Sequence, residues 1–413
     1  PVTIQQEFRN YVAQTSPAPY GLVVEKAEGP HLFGSFSGVG ESRAFFDFTS
    51  GIGVNSLGAR NHKATFALVE QALDYGHTTV YGEHVQKAQV EYAKALVEKW
   101  GEGGQVFFQN SGSEANDLAL KMVRKITGKK NVLALTKAFH GRGYGPMQLT
   151  WNSLYREGFG VDDSCTRWID PFEPLFTQIE ELESDFLENL GGVFVELVQG
   201  EGGCRALPQE FVDELFNWCH KNNIMTVVDE VQTGFGRTGK FFAQDTYGVR
   251  ASITTIGKAG GGGLPFGAVI SSRRNFEKLQ TPALSHLTTF GGNPIVCAAG
   301  LEILKQVTPK LLKNVEECSR FMTAQYRIWA EKYPNVVEGY NGRGLMLALR
   351  LKSKEAAWEL FETAREENLI LAIKLNNPTV VRTTIPLNTP LDDLKSAFKS
   401  LEAAIAVVEK ELS

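Results

Sequence analysis

The sequence predicts an α/β fold in which a mostly parallel β-sheet is covered by helices on both faces. Between about residues 105 and 272, short runs rich in β-branched residues alternate with segments of helical spacing, a pattern typical of such sheets. A chain of 413 residues with 43% hydrophobic content is also long enough for one large domain and a smaller companion. The predicted strands span residues 106–108, 132–135, 193–198, 225–228, 252–256 and 268–270.

The segments that flank this region predict a smaller α+β part of the chain. Residues 1–45 are rich in Pro and Gly between short apolar runs, which favours a small antiparallel piece. After residue 294 a helical pattern continues to about residue 332, and we expect one long helix there. The pattern then predicts a strand, a helix, a short strand and a terminal helix, at residues 345–351, at 354–367, near Ile370 and from Leu391 onward.

Composition disfavours several classes of function. The net charge is -5 and no basic run is present, so the sequence lacks the electrostatic signature of nucleic acid or anionic membrane binding. No stretch reaches the roughly 18 apolar residues that a membrane span needs. The five cysteines are scattered and the histidines form no paired set, which argues against a disulfide framework and a metal site. We therefore expect a cytoplasmic protein.

Two strands of the predicted sheet end in a carboxylate and an amine. Asp229 follows the run at residues 225–228, and Lys258 follows the run at residues 252–256. Parallel strands bring such residues to one sheet edge, which is where open α/β sheets bind ligands. An amine that can form a Schiff base, facing a carboxylate that keeps a pyridine nitrogen protonated, is the minimum that pyridoxal phosphate requires of a protein. The pair indicates a pyridoxal phosphate site.

A candidate anion site follows the first predicted strand. The segment NSGSEA at residues 110–115 opens a helix, so its amides and hydroxyls lie where a helix N-terminus favours a phosphate. Taken alone, an ordinary helix cap formed by Ser113 explains the same segment. The glycines of GFGRTG at residues 234–239 match nucleotide-binding loops only weakly, because Phe241 stands where a phosphate loop has its magnesium-binding hydroxyl.

Two further strand ends carry residues suited to a planar ring and to carboxylates. Phe139 can stack on a ring and Arg142 can grip a carboxylate with two hydrogen bonds, although a core phenylalanine and a surface arginine explain the same segment. His140 between them is expected to be structural. Glu196 and Glu201 lie at the next strand end, and paired carboxylates also serve glycosidases. Nothing in the pattern supplies a sugar groove, and Glu201 is better suited to pair with an arginine.

Together these motifs resemble the class III, or subgroup II, pyridoxal phosphate-dependent aminotransferases, and within them the acetylornithine and ornithine aminotransferases. The likeness runs from about Asp47 to the C-terminal helix. Ser113 and Leu197 depart from the usual pattern, but neither removes a catalytic group. The segments that carry the likeness are FDFTSGIGVNSLG, NSGSEAN, AFHGR, VELVQGEGG, DEVQTGFGRTG, the GK of Lys258, TTFGGNP at residues 288–294, GRGLM at 342–346 and VVRTTIPL around Arg382.

The resemblance implies fold type I of the pyridoxal phosphate-dependent transferases. Such a chain has a large domain with a mostly parallel seven-stranded sheet, expected here at residues 46–305. Its small domain is built from both termini, here residues 1–45 and 306–413. The resemblance also implies a homodimer whose active sites are shared between the two subunits.

The resemblance also assigns roles at the cofactor. Lys258 would bind the cofactor covalently and then transfer protons as catalytic base and acid. Asp229 would bind the pyridine nitrogen, Gln232 the phenolic oxygen and Phe139 the ring face. The other cofactor-binding residues would be Ser111, Gly112 and Ser113 at the phosphate, Thr289 from the partner subunit, and Glu196.

Three charged residues would sort the two substrates. Arg142 would hold the distal carboxylate of donor and acceptor, and Arg382 the carboxylate next to the reacting carbon of glutamate or 2-oxoglutarate. Glu201 would pair with Arg382 when the donor reacts at a terminal amine, because an unpaired buried cation is costly. The resemblance thus implies transfer of the terminal amine of N-acetylornithine, or a similar ω-amino acid, to 2-oxoglutarate.

The sequence leaves the amino donor open. Ornithine, 4-aminobutyrate and modified lysines are alternatives, since residues 77–83 differ from the usual acetylornithine enzymes. An aminomutase of the glutamate-1-semialdehyde type shares the fold and the lysine, but the pair of Glu201 and Arg382 argues against it. A binding or regulatory protein that keeps the scaffold would be colourless, whereas Lys258, Asp229 and Gln232 predict a coloured one.

Overall fold

The computed structural model describes residues 3–15, 21–36, 41–374 and 376–413. The strands are β1 (Val23–Glu28), β2 (His31–Ser35), β3 (Arg43–Asp47), β4 (Gly104–Gln109), β5 (Asn131–Leu135), β6 (Thr166–Ile169), β7 (Leu190–Val195), β8 (Val198–Gln199), β9 (Arg205–Ala206), β10 (Met225–Asp229), β11 (Ile253–Gly257), β12 (Gly267–Ser272), β13 (Val337–Arg343), β14 (Met346–Leu351), β15 (Leu369–Ile370), β16 (Ala372–Lys374) and β17 (Asn377–Arg382). The helices are α1 (Ile4–Tyr11), α2 (Ser50–Gly53), α3 (His62–Asp74), α4 (Lys87–Trp100), α5 (Gly112–Thr127), α6 (Tyr144–Met147), α7 (Leu175–Glu180), α8 (Ser184–Glu188), α9 (Gln209–Lys221), α10 (Ala243–Tyr247), α11 (Arg273–Glu277), α12 (Pro294–Gln306), α13 (Pro309–Lys332), α14 (Lys354–Glu366) and α15 (Leu391–Leu412).

Seven strands form the central sheet, in the order β4-β12-β11-β10-β7-β5-β6. Neighbouring strands from β11 to β6 are parallel, whereas β12 runs antiparallel to both β11 and β4. The predicted α/β fold with a mostly parallel seven-stranded sheet is therefore confirmed. The sequence pattern missed β6, because Arg167 and Trp168 interrupt the apolar run of this edge strand.

Two four-stranded sheets lie outside the central sheet. In the first, β1, β2 and β3 pair antiparallel, as predicted for this part of the chain, and β15 adds to β3 in parallel. The N-terminal and C-terminal parts of the chain therefore share one sheet. The second sheet has the strand order β13-β14-β17-β16, and all neighbouring strands in it are antiparallel. Strand β17 ends at Arg382, which lies directly opposite Ala348 of β14.

The predicted long helix after residue 294 is wrong, because the structure has two helices there. The first, α12, ends at Gln306, and α13 begins at Pro309. Pro309 has no N–H to donate to the preceding turn and fits the first position of a new helix. Thr308 caps that new helix, since its side chain accepts a hydrogen bond from the backbone N–H of Leu311 at 3.3 Å.

Helix α5 shows how packing positions the candidate site. Its predicted apolar stripe is fully buried and packs against strand residues such as Val227 and Ile253. Each large apolar side chain buried in this way stabilises the fold by about 1.5–3 kcal/mol. The helix is thereby fixed with its N-terminus at the carboxyl end of β4. The stripe consists of Ala115, Leu118, Ala119, Met122 and Val123.

The two longest helices lie in the C-terminal part of the chain. Helix α13 has 24 residues and α15 has 22. In the part of the chain that the structure describes, no helix is both long enough and apolar enough to cross a membrane.

Candidate active site

The carboxyl ends of five parallel strands meet at one cavity. Strands β4, β5, β7, β10 and β11 each end at residues that line it, and its volume is about 400 Å³. This is the edge at which open α/β sheets bind ligands, and the volume is in the range of small-molecule sites. The predicted residues among its lining are Ser111, Gly112, Ser113, Phe139, Arg142, Glu196, Asp229, Gln232 and Lys258.

Lys258 follows the last residue of β11 and lines the cavity. Its φ of 44° lies in the left-handed region, which is uncommon for a residue with a side chain and is often found at functional sites. Burial lowers the pKa of Lys258, and the nearby carboxylates of Asp229 and Glu201 offset this only in part. A lowered pKa increases the fraction of neutral amine, which is the nucleophilic form.

A left-handed turn at Ser50–Gly53 lies beside this lysine. Four consecutive residues have φ between 49° and 83°, including the β-branched Ile52 at 59°. Asp47 holds the turn, since its carboxylate accepts hydrogen bonds from the N–H of Thr49 at 2.7 Å and of Gly51 at 3.2 Å. A Cβ on Gly53 would lie 3.7 Å from Cδ of Lys258. The turn is thus strained backbone that lies close to the side chain of Lys258.

Asp229 ends β10 and is held by three donors inside the cavity wall. Its Oδ1 accepts the backbone N–H of Val231 at 2.9 Å. Its Oδ2 accepts the side-chain amide of Asn116 at 2.7 Å and lies 2.9 Å from Nδ1 of His140. The Asn116 side-chain oxygen in turn accepts the hydroxyl of Thr255 at 2.8 Å. The carboxylate is therefore fixed in position before any ligand arrives.

His140 and Asp229 form a buried charged pair. Burial lowers the pKa of His140, but the hydrogen bond and negative charge of Asp229 outweigh burial and raise that pKa above its ordinary value. Burial raises the pKa of Asp229, and the hydrogen bond and charge of His140 reverse that shift and lower it. Both directions favour an ionised carboxylate, which is the form that can keep a ring nitrogen protonated.

The N-terminus of α5 opens on the cavity. Ser111 caps the helix, its hydroxyl accepting the N–H of Glu114 at 3.1 Å, and the Ser113 hydroxyl accepts the N–H of Gly143 at 2.9 Å. A Cβ on Gly112 would lie only 2.6 Å from Cγ1 of Val231, so only glycine lets these two segments approach. The helix end is shaped to bring its amides to the cavity, where an anion is favoured.

Glu196 lies beneath the cavity and is almost fully buried. Its carboxylate accepts the N–H of Phe139 at 2.9 Å and the N–H of Gly200 at 3.0 Å. Burial raises the pKa of Glu196 to about 7. Glu196 thus fixes the backbone of Phe139, whose ring lines the cavity.

Arg142 is exposed at the cavity mouth and rests on two aromatic rings. Its guanidinium carbon lies 3.6 Å from the ring centroid of Tyr155 and 5.4 Å from that of Phe139. Stacking on aromatic faces restricts the orientation of the guanidinium and leaves its N–H edge available to a carboxylate.

Glu201 and Arg382 form a buried ion pair next to the cavity. The Arg382 Nη2 donates to Glu201 Oε1 at 2.5 Å, and the two side chains are 4% and 8% exposed. Gln232 joins them, donating to Glu201 Oε1 at 3.3 Å and accepting from Arg382 Nη1 at 3.4 Å. Gly200 allows this approach, because a Cβ there would lie 2.3 Å from the Gln232 amide. The amide of Gln232 therefore contacts the ion pair as well as the cavity.

Thr289 is the one predicted cofactor-binding residue that the structure does not bring to the cavity. It is exposed and is absent from the described residues that line the cavity of its own chain. Its neighbour Thr288 accepts a hydrogen bond from the side-chain amide of Asn110 at 2.8 Å. Arg382 and Glu201, by contrast, are brought together as predicted.

Sequence reasoning missed the three residues that hydrogen-bond to Asp229. His140 was expected to be structural, yet it is hydrogen-bonded to Asp229. Asn116 also binds Asp229, and Val231 lines the cavity. A signal existed for two of them, since Asn116 lies one helical turn after the phosphate segment and Val231 lies between Asp229 and Gln232.

Comparisons with known proteins agree with this geometry. The family described as Aminotransferase class-III matches residues 11–405. An acetylornithine aminotransferase from Caldanaerobacter subterraneus subsp. tengcongensis is 32% identical over 94% of this chain and 96% of its own. An acetylornithine aminotransferase from Bacillus cereus is 35% identical over 88% of this chain and 91% of its own. The structure of an ornithine aminotransferase from Toxoplasma gondii, with pyridoxal phosphate partially occupying its active site, is 25% identical, covers 98% of this chain and 93% of that one, and has a TM-score of 0.86.

The residues of the cavity fit pyridoxal phosphate. The buried carboxylate of Asp229, held by three donors, suits a protonated ring nitrogen. Lys258, with its lowered pKa, suits the aldehyde. The N-terminus of α5, which Gly112 allows to approach Val231, suits the phosphate. These features and the match across almost the whole sequence lead to one conclusion. The chain belongs to the class III aminotransferases and is a pyridoxal phosphate-dependent transaminase.

Proposed function

We propose that this transaminase moves the terminal amine of N-acetylornithine, or a similar ω-amino acid, to 2-oxoglutarate, giving a semialdehyde and glutamate. The observation that carries the proposal is the buried ion pair of Glu201 and Arg382 beside the cavity. Relatives with the name acetylornithine aminotransferase support the choice of donor. A donor that reacts at a terminal amine has no carboxylate for Arg382, so the enzyme must supply one itself.

Each cofactor-facing residue has a task in this proposal. Bound pyridoxal phosphate supplies an aldehyde for amines and a ring that accepts electrons when the C–H bond beside the amine breaks. Asp229, ionised and fixed by His140 and Asn116, holds the proton on the ring nitrogen. Lys258 would hold the cofactor through its amine and, when that amine is free, would take up and return the proton of the substrate carbon.

The remaining residues bind and orient. Ser111, Gly112 and Ser113 present the N-terminus of α5 to the phosphate. Phe139 would pack against the ring face, and Glu196 fixes the backbone of Phe139. Gln232 would donate to the phenolic oxygen, and its amide also contacts the ion pair of Glu201 and Arg382.

The two arginines let one site serve two substrates. Arg142, oriented by Tyr155, binds the distal carboxylate of donor and acceptor alike. Arg382 pairs with Glu201 while the ω-amino donor reacts and binds the second carboxylate when glutamate or 2-oxoglutarate occupies the site. The exchange keeps a buried guanidinium paired throughout the cycle, which avoids the cost of an isolated buried cation.

We also propose a homodimer in which Thr289 of one subunit completes the phosphate site of the other. Two observations support this arrangement: Thr289 is exposed, and it is not among the described residues that line the cavity of its own chain. The division into a large domain at residues 46–305 and a small domain at 1–45 and 306–413 is part of the same proposal, and the pairing of β3 with β15 supports it. Five free cysteines favour a reducing compartment such as the cytosol.

A single-turnover panel of amino donors tests the function. The cofactor absorbance is followed after mixing the enzyme with N-acetylornithine, ornithine, 4-aminobutyrate or glutamate. We expect fast conversion with N-acetylornithine and with glutamate, and reversal by 2-oxoglutarate with release of glutamate. A chain that isomerises glutamate-1-semialdehyde but forms no glutamate from 2-oxoglutarate would be an aminomutase, and the proposal would be wrong.

A further inference from the structure

Lys374 is a buried lysine beside the ion pair of Glu201 and Arg382. Lys374 is only 2% exposed, and its Nζ has no hydrogen-bond partner among the described residues. It ends β16, whose neighbour β17 ends at Arg382, and Ala372 of β16 lies directly opposite Arg382. Lysines are almost never fully buried without a partner, because a desolvated ammonium group is unfavourable. An unpaired ammonium group at this place therefore points to a function.

The backbone of Glu201 is anchored to the same hairpin. Its carbonyl oxygen accepts the N–H of Asn376, just after β16, at 3.1 Å. The carboxylate itself is bound by the side chains of Arg382 and Gln232. Burial raises the pKa of Glu201, but the positive charges of Lys374 and Arg382 outweigh burial and lower it to about 2. The carboxylate of Glu201 is therefore close enough to both Lys374 and Arg382 to be stabilised by their positive charges.

The ion pair is surrounded by an excess of buried positive charge. Arg237 is also only 2% exposed, and burial together with Arg382 lowers its pKa to about 9. Burial and Arg382 lower the pKa of Lys374 as well, and the nearby thiol of Cys204 and carboxylate of Glu201 offset this only in part. The carboxylate of Glu201 feels the charges of both Arg382 and Lys374, so the site has room for one more negative charge.

We propose that Lys374 is a second resting place for the carboxylate of Glu201, an inference that rests on the proposed function. When the carboxylate next to the reacting carbon of glutamate or 2-oxoglutarate takes Arg382, Glu201 leaves Arg382 and pairs with Lys374. Lys374 is thus a positioning residue that acts through Glu201 and does not touch the substrate.

Charge balance in the two states supports this assignment. While Arg382 holds Glu201, the ammonium group of Lys374 has no hydrogen-bond partner among the described residues. Once a substrate carboxylate occupies Arg382, a displaced Glu201 without Lys374 would be an isolated buried anion, which is strongly unfavourable. With Lys374 present, the incoming carboxylate and Glu201 each have a cation. Lys374 therefore favours substrates that carry a carboxylate beside the reacting carbon.

Binding of unreactive carboxylates to the holoenzyme tests the inference. Glutarate carries both carboxylates of 2-oxoglutarate, valerate carries one, and neither has an amine or a ketone. Calorimetry should show that Lys374→Met weakens glutarate binding by about 10-fold or more and changes valerate binding by less than about 2-fold. Lys374→Arg should restore most of the glutarate affinity. Lys352→Met, at an exposed lysine just after β14, is the matched control and should change neither.

A double-mutant cycle separates action through Glu201 from direct contact. In a Glu201→Gln background there is no carboxylate to relocate, so Lys374→Met should change glutarate affinity by less than about 2-fold. A loss of the same size in both backgrounds would mean that Lys374 binds the ligand itself and would overturn the inference. Lys374→Gln gives a second neutral variant, and melting temperatures establish that each variant is folded.

The remaining outcomes distinguish this inference from the proposed function. If the wild-type enzyme binds glutarate no more tightly than valerate, the cavity has no site for a second carboxylate, and both proposals are wrong. Strong glutarate binding that Lys374→Met leaves unchanged overturns only the role of Lys374. A crystal structure of the glutarate complex should place the Glu201 carboxylate within hydrogen-bond distance of Lys374 Nζ, and a Glu201 that stays on Arg382 would contradict the inference.

Discussion

Nδ1 of His140 lies 2.9 Å from Oδ2 of Asp229, inside a wall where both residues are buried. The contact joins the loop after β5 to the end of β10, two strands away in the central sheet. It orients the carboxylate and, through the raised pKa of His140, keeps a positive charge behind it. The ring nitrogen of the cofactor is thus proposed to face an aspartate that is already ionised and immobile.

Replacing His140 by Asn should remove a pH-dependent part of the stability. The pKa of His140 is raised in the folded protein above its ordinary 6.5, so its contribution is full below pH 6.5 and is lost as pH rises through the folded value. The unfolding free energy of wild-type apoenzyme should therefore exceed that of His140→Asn by more at about pH 6 than at about pH 9. Urea unfolding at fixed protein concentration measures both.

Asn is the suitable replacement because its amide can still donate to Asp229 but cannot carry a charge. His220, on the exposed part of α9, provides a control, and His220→Asn should leave the pH profile of wild type unchanged. Parallel profiles for wild type and His140→Asn would show that His140 is not charged in the folded protein.

Arg382→Ala should separate the two half-reactions. Loss of a buried, charge-assisted hydrogen bond to the carboxylate of glutamate should slow that half-reaction by about 10- to 100-fold. The half-reaction of the ω-amino donor needs no carboxylate there and should change much less. Stopped-flow absorbance with each substrate measures both rates, and Arg320→Ala, at an exposed arginine on α13, is the control. Equal losses in both half-reactions would contradict the exchange of partners at Arg382.

Tyr155 should act on substrate affinity through Arg142. The guanidinium carbon lies 3.6 Å from the Tyr155 ring centroid, so Tyr155→Leu removes the aromatic face that orients it. A cation–π contact of this kind stabilises by about 0.5–2 kcal/mol, and KM for both donor and 2-oxoglutarate should rise about 3- to 10-fold. Tyr155→Phe keeps the face and should resemble wild type. Similar losses in the Phe and Leu variants would assign the effect to the hydroxyl group.

The parts of the site that lie at strand ends could be predicted from the sequence. Asp229 and Lys258 each follow a short apolar run, and the parallel sheet necessarily brings such ends to one edge. The partners of these residues could not be predicted in the same way. His140 reaches Asp229 only because β7 alone separates β5 from β10, and strand order is not encoded in local spacing.

Residues from the second sheet were still harder to place. Arg382 was identified only through a resemblance, since nothing in the local pattern of β17 indicates that it meets Glu201. Lys374 had no signal in the sequence, because the register of β16 against β17 is irregular between Ile373 and Lys374 and local spacing does not indicate such an irregularity. The break between α12 and α13, by contrast, was readable from Pro309, and the continuous helical pattern around it was given too much weight.

Gly112→Ala should weaken cofactor binding by forcing the N-terminus of α5 away from the cavity. The new Cβ would lie 2.6 Å from Cγ1 of Val231 and 2.8 Å from its Cγ2, closer than real Cβ atoms come. Gly112 is the first residue of the helix and carries no positive φ, so the obstacle is this contact and not the backbone conformation. Overpacking costs about 1–3 kcal/mol, so the Kd for pyridoxal phosphate should rise by about 10-fold or more.

Val231→Ala in the same chain should reverse most of that loss, because it removes both methyl groups that the new Cβ meets. Val231→Ala alone serves as the control, since it takes away an apolar wall of the cavity without moving α5. Equilibrium dialysis of the four proteins gives the coupling between the two positions. If the two substitutions add instead of compensating, steric contact with Val231 is not why residue 112 is glycine.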